Sequence, residues 1–140
     1  MSFYLDSSVT VCAVSAEAAT SAVLDWIEKV EGDLVVSDWV ITETFAAISQ
    51  KRRMKIISAN DQRRALAAFE VQLGNSMAVV EVTRGDFRKA AGLADKATAA
   101  LRAGDALHLA VADHHDFTLC TLDKRQCEAG AALGISTLLL

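Results

Sequence analysis

Five short apolar runs, each separated from the next by a stretch of helical periodicity, constrain this chain more than any other feature. The runs are Phe3-Tyr4-Leu5, Leu34-Val35-Val36, Ala78-Val79-Val80-Glu81-Val82, Phe117 to Leu122, and Ser136 to Leu140. Turn signals such as Gly32-Asp33, Gly74-Asn75-Ser76 and Gly134 precede three of them. Brief apolar runs of this kind fit strands covered on both faces. Between them, Ala18 to Val30 places Ala19, Val23, Leu24, Ile27 and Val30 near a 3.6-residue period. A second helix is expected from Asp38, with Asp38 as its N-cap and Ile41, Phe45 and Ile48 on one face. Further helices are expected over Ala59 to Leu73, Thr83 to Leu101, Gly104 to Ala112 and Lys124 to Leu133, with Gly134 at the C′ position of the last. Alternation of this kind implies an α/β domain, a central mostly parallel five-stranded sheet flanked by helices. The chain is 140 residues long and contains no proline, so one domain over 1–140 with uninterrupted helices is the expectation.

Composition narrows the functional classes. Hydrophobic residues make up 52%, enough for a substantial core, yet no apolar stretch is long enough for a membrane span. A formal net charge of −4 argues against coating nucleic acid through overall charge, while leaving room for a local basic patch. The start, Met1-Ser2-Phe3-Tyr4-Leu5-Asp6, has no secretory pattern, and the three cysteines Cys12, Cys120 and Cys127 include no C-x-x-C pair. A cytoplasmic protein without a disulfide framework is expected.

Four acidic residues stand where the predicted elements can unite them. Asp6 and Asp123 directly follow apolar runs, so each falls at the carboxyl end of a strand, where ligands gather in open parallel sheets. Asp105 follows Gly104 at a helix start, where free N–H groups favour an anion. Glu43 lies about one turn into its helix and projects toward the same edge. Taken alone, Asp6 and Asp123 also read as turn formers or helix caps, Asp105 as an N-cap, and Glu43 as half-exposed helix surface. Together they repel unless a cation joins them, and oxygen donors of this kind select Mg²⁺ or a similar hard divalent ion. Such a pocket suits hydrolysis of a phosphodiester.

The blocks carrying these acids resemble those of PIN-domain nucleases, and specifically the VapC-like toxins of bacterial toxin–antitoxin pairs. They are Tyr4-Leu5-Asp6-Ser7-Ser8, Ile41-Thr42-Glu43-Thr44-Phe45, the stretch from Leu101 to Ala112, Leu119-Cys120-Thr121-Leu122-Asp123, and Leu133-Gly134-Ile135. The stretch around Gly104-Asp105-Ala106-Leu107-His108 is the most specific of them. The resemblance implies a PIN-like three-layer fold and a Mg²⁺- or Mn²⁺-dependent endoribonuclease. It implies Asp6 and Asp105 as principal metal ligands, with Glu43 and Asp123 completing the pocket directly or through water. It implies that the Thr121 hydroxyl orients water or a carboxylate. It also implies an RNA substrate, a homodimer, and a VapB-like antitoxin whose tail enters the active-site groove.

Other features stay open at this level. Lys51, Arg52, Arg53, Lys55, Arg63 and Arg64 supply six of the 14 basic residues, either as a solvated helix corner or, with Arg102, as an RNA-backbone contact. Trp26, Trp39 and Phe45 are base-stacking candidates or core. His108, His114 and His115 with the cysteines match no common zinc spacing. An aspartyl-phosphate phosphatase would want a second acid two residues after Asp6, where Ser8 stands, and no P-loop or G-x-S-x-G occurs. A PIN-like module that binds RNA or an antitoxin without cleaving is the main alternative to the nuclease.

Overall fold

A computed structural model describes every residue from Met1 to Leu140. In chain order it comprises β1 (Ser2–Leu5), α1 (Ser7–Val14), α2 (Thr20–Lys29), β2 (Asp33–Ser37), α3 (Asp38–Arg53), α4 (Ala59–Ser76), β3 (Met77–Val80), α5 (Arg84–Lys96), α6 (Ala103–His114), β4 (Thr118–Thr121), α7 (Lys124–Ala132) and β5 (Thr137–Leu139). The five strands form one sheet in the order β3-β2-β1-β4-β5, and every neighbouring pair is parallel. Tyr4 at the centre pairs with Val35 on one side and Leu119 on the other. The α/β architecture expected from the alternating runs is therefore present. Strand order reverses between β1 and β4, which puts the topological switch point at the carboxyl ends of these two strands.

The main core fills around the three inner strands. Tyr4, Leu5, Val36, Leu119 and Cys120 are fully buried, with Val9, Leu109 and Val111 packed against them from α1 and α6. Double-sided coverage holds only for these inner strands. Val79 in β3 is 47% exposed and Leu139 in β5 is 44% exposed, because each edge strand has one partner and an uncovered flank.

Three local expectations need correction. The helix α1 has no counterpart in the periodicity analysis, because Ser-Ser-Val-Thr-Val-Cys-Ala-Val is apolar on nearly every side and rich in β-branched residues. Burial of Val9, Thr10, Val11, Cys12 and Ala13 stabilises it instead of an amphipathic stripe. The N-cap of α3 is Ser37, whose hydroxyl accepts from the Val40 N–H, and Asp38 is the first helical residue. The helix α5 stops at Lys96, with Ala97 as its C-cap, well short of Leu101. Gly134 does fall one residue past the C-cap of α7, with φ +79°, a conformation a side chain would strain.

Candidate active site

All five strands point the same way, so the residues after β1, β2 and β4 share one rim. Asp6 follows β1 and is only 3% exposed. Its Oδ1 accepts from the Ser8 hydroxyl at 2.5 Å and from the Val9 N–H at 3.2 Å, so it caps α1. The Ser8 Oγ also accepts from the Leu122 N–H at 2.9 Å and lies 3.4 Å from Thr121 Oγ1. This one hydroxyl therefore ties the turn after β1 to the turn after β4.

Glu43 reaches the same rim from the second turn of α3. Its Oε2 accepts from Ser7 Oγ at 2.8 Å and from His108 Nε2 at 2.6 Å. Burial alone would raise its pKa, but the hydrogen bond and charge of His108, with Ser7 and Trp39, outweigh burial and lower it. Trp39 Nε1 is buried beside Glu43 without a well-formed hydrogen bond, so its influence is that of a nearby dipole.

Asp105 is the third residue of α6, not its cap, because Arg102 occupies the N-cap without a side-chain bond. Its carboxylate takes no hydrogen bond from the protein. Burial raises its pKa, the charges of Asp123 and Asp6 raise it further, and those of His108 and Arg102 lower it only in part. Burial and the neighbouring carboxylates thus both disfavour the ionised form of Asp105.

Asp123 caps α7, its Oδ1 accepting from the N–H groups of Arg125 (2.8 Å) and Gln126 (3.4 Å). Thr121 is fully buried. Its hydroxyl donates to Gln126 Oε1 at 3.1 Å and accepts from the Asp123 N–H at 3.0 Å. It therefore bonds the backbone that carries Asp123.

A common pattern emerges from these bonds. Asp6, Glu43 and Asp123 each have one oxygen anchored by the protein and one with no protein partner, while both oxygens of Asp105 are unpartnered. That donor chemistry fits a hard divalent cation. As positioned, no three His, Cys, Asp or Glu side chains form a ready-made coordination group.

The remaining sequence candidates fall elsewhere. Lys51, Arg52, Arg53 and Lys55 sit at the C-terminal end of α3, where Lys51 pairs with Glu17 at 2.9 Å and the other three are exposed. Lys51 is eight residues beyond Glu43, which is roughly 12 Å along a helix. Arg102 is exposed at the start of α6. Trp26 packs edge-on against Phe3, and Phe45 against Phe69, and both are half-buried. His114 stands at the exposed end of α6 and bonds Asp86 at 2.8 Å. His108, Tyr4, Ser7, Ser8 and Gln126 are site residues that sequence reasoning did not assign. The signal for His108 was its place one turn after Asp105, and hence on the same helix face.

Comparison with known proteins bears on this geometry. No curated protein matches the sequence at a significant level. Among solved structures, VapC20 of Mycobacterium tuberculosis, described as a Sarcin-Ricin loop cleaving toxin, superposes with a TM-score of 0.76 at 18% identity, over 99% of both chains. FitAcB from Neisseria gonorrhoeae gives 0.69 at 14% identity, over 97% of this chain and 96% of that one. VapBC-1 from nontypeable Haemophilus influenzae gives 0.68 at 14% identity, over 99% and 98%. Identities this low establish a shared fold. No helix is long and apolar enough to cross a membrane. The family model for the PIN domain matches residues 3–132, nearly the whole chain, and the protein belongs to the PIN domain family.

Proposed function

We propose that this protein is an endoribonuclease that depends on Mg²⁺ or Mn²⁺ and serves as the toxin of a toxin–antitoxin pair. The observation that carries the reading is the set of unpartnered carboxylate oxygens on Asp6, Glu43, Asp105 and Asp123 at the switch point of the sheet. Asp6 and Asp105 would be the principal ligands, with Glu43 and Asp123 beside them. When bound, a divalent ion supplies Lewis acidity toward a phosphate oxygen and toward water. The Ser8 hydroxyl and the α1 N-terminus keep Asp6 Oδ1 occupied, so its Oδ2 is the oxygen presented. Ser7 and His108 do the same for Glu43, leaving Oε1. Thr121 and Gln126 fix the turn that aims Asp123.

Substrate and partner follow from the same site and from the relatives. The structural neighbours are described as a loop-cleaving toxin and as toxin–antitoxin complexes, which supports RNA as substrate and a VapB-like antitoxin as partner; a homodimer is part of the same proposal. Arg52, Arg53, Lys55 and Arg102, with Lys51, form the proposed path for the RNA backbone. Replacing Arg52, Arg53 and Lys55 by neutral residues should flatten the salt dependence of RNA binding by about 0.7 in log–log slope per charge removed. An unchanged slope in a filter-binding series would remove this patch from the interface.

A second reading, a PIN module that binds without cleaving, draws on the absence of a ready-made coordination group. The phosphatase reading gains no support, since the position two residues after Asp6 holds a serine, whose alcohol is too weak an acid for that role and bonds Asp6 and the Leu122 N–H instead. Cleavage of total RNA by purified protein, with Mg²⁺ or Mn²⁺ and with EDTA, decides between them. The nuclease reading requires fragments that appear only with metal. A binding module would retain RNA and produce none.

A further inference from the structure

Glu43 has its anchored oxygen held by a buried histidine that is itself held from behind by two further side chains. His108 is 2% exposed, and its Nε2 lies 2.6 Å from Glu43 Oε2. Its Nδ1 lies 3.0 Å from the Tyr4 hydroxyl, which in turn lies 2.7 Å from Ser37 Oγ. Ser37 Oγ accepts from the Val40 N–H at the first turn of α3. Tyr4 and Ser37 are fully buried. The chain of bonds thus leaves the start of α3, crosses β1 and α6, and returns to α3 at Glu43.

Proton bookkeeping makes this chain robust. A carboxylate only accepts, so Nε2 carries a hydrogen. Nδ1 then either accepts from Tyr4, with Ser37 donating to Tyr4, or donates to Tyr4, with Tyr4 donating to Ser37. Every bond survives in either arrangement, so the hold on Glu43 does not depend on where the protons sit. Ser7 donates to the same Oε2, so both donors converge on one atom. The other oxygen, Oε1, faces Gly104, where an added Cβ would stand only 2.9 Å away. Gly104 immediately precedes Asp105.

We propose that His108, Tyr4 and Gly104 are positioning residues for Glu43. The buried chain fixes Oε2, and the missing side chain at Gly104 keeps Oε1 in place toward a divalent cation shared with Asp105. This rests on the reading of the site given above.

The test measures Mn²⁺ affinity by calorimetry, kcat and KM for RNA cleavage, and thermal unfolding. The proteins are the full chain and its His108→Leu, His108→Gln, Tyr4→Phe and Gly104→Ala variants. Loss of a supporting donor or acceptor behind a metal ligand typically costs 10–100-fold in metal affinity or activity, so about that loss in Mn²⁺ affinity and kcat is expected for His108→Leu. KM for RNA should stay within about twofold, because the substrate contacts are untouched. His108→Gln keeps an N–H donor within reach and should recover most of the loss. Tyr4→Phe, which removes only the support behind His108, should fall between His108→Gln and His108→Leu. Gly104→Ala removes no hydrogen bond, yet should weaken Mn²⁺ binding about tenfold with little change in melting temperature. Wild-type Mn²⁺ affinity and kcat in both His108→Leu and Gly104→Ala would overturn the proposal, as would losses that track thermal stability alone with no rescue by glutamine. A wild-type protein that neither binds Mn²⁺ nor cleaves RNA would overturn the site reading and this proposal together.

Discussion

Asp6 and Asp86 are buried almost equally, 3% and 2% exposed, yet their carboxylates are bonded very differently. Both stand at helix starts. Asp86 completes a capping box with Thr83 at the beginning of α5. Its Oδ2 accepts from the Thr83 N–H at 2.7 Å and the Thr83 hydroxyl at 2.8 Å, and its Oδ1 accepts from His114 at 2.8 Å. Both oxygens are satisfied, and the carboxylate joins α5 to α6. Asp6 satisfies one oxygen and leaves the other without a protein partner. Burying a carboxylate is costly unless it is fully bonded. An incompletely bonded one therefore points to a ligand, and a fully bonded one to architecture.

The largest expected effect follows from that difference. Asp6→Asn should lower RNA cleavage on the order of 10³-fold, by losing an anionic ligand where charge must be stabilised. Asparagine still caps a helix, so the melting temperature should hold. A variant that unfolds instead would show that Asp6 is architectural after all. Asp86→Ala should do the reverse. Losing the return bonds of the capping box and orphaning the Thr83 and His114 donors should cost about 2–4 kcal/mol in urea unfolding, with Mn²⁺ binding intact below the melting temperature. A loss of Mn²⁺ binding in the folded variant would erase the contrast.

The pH dependence sharpens it further. Burial opposes ionisation of Asp86, but the Thr83 and His114 bonds prevail and lower its pKa. Its stabilisation is thus present above the ordinary value of 3.8 and lost as pH falls through the lower folded value. Asp105 behaves oppositely, since burial and the charges of Asp123 and Asp6 raise its pKa. The unfolded chain ionises first, so Asp105 penalises the folded state increasingly as pH rises through 3.8, and fully above its raised folded pKa. Asp105→Asn should therefore raise the melting temperature at pH 7 in EDTA while abolishing cleavage. A lower melting temperature there would mean that Asp105 is not under repulsion. The rise in melting temperature is the smallest of these shifts and the most diagnostic in sign.

Much of the architecture was legible in the residues because parallel strands are short, apolar and punctuated. The runs ending at Leu5 and Leu122 located the rim, and with it Asp6 and Asp123. The helix α1 was not legible, because period-based reading needs a polar face, and Val9 to Ala13 has none. The extent of α5 was overread because Leu101 continued an apolar pattern past Ala97, where the backbone becomes extended. The four acids could be read from their positions relative to strand ends and helix starts. Their supporting residues could not, because Tyr4, Ser37 and His108 meet only through the stacking of β1, β2 and α6. Nothing local in the chain announces a contact between a residue near its start and a histidine more than a hundred positions later.

On the proposed reading, the carboxylate oxygens at the β1–β4 switch point hold a divalent cation. Calorimetric titration of Mn²⁺ into the wild-type, Asp6→Asn and Asp86→Ala proteins, each folded at the same temperature, tests it most directly. Saturable binding to the wild-type and Asp86→Ala proteins, with none to Asp6→Asn, is the predicted result. Equal binding to all three, or no binding to the wild-type protein, would contradict it.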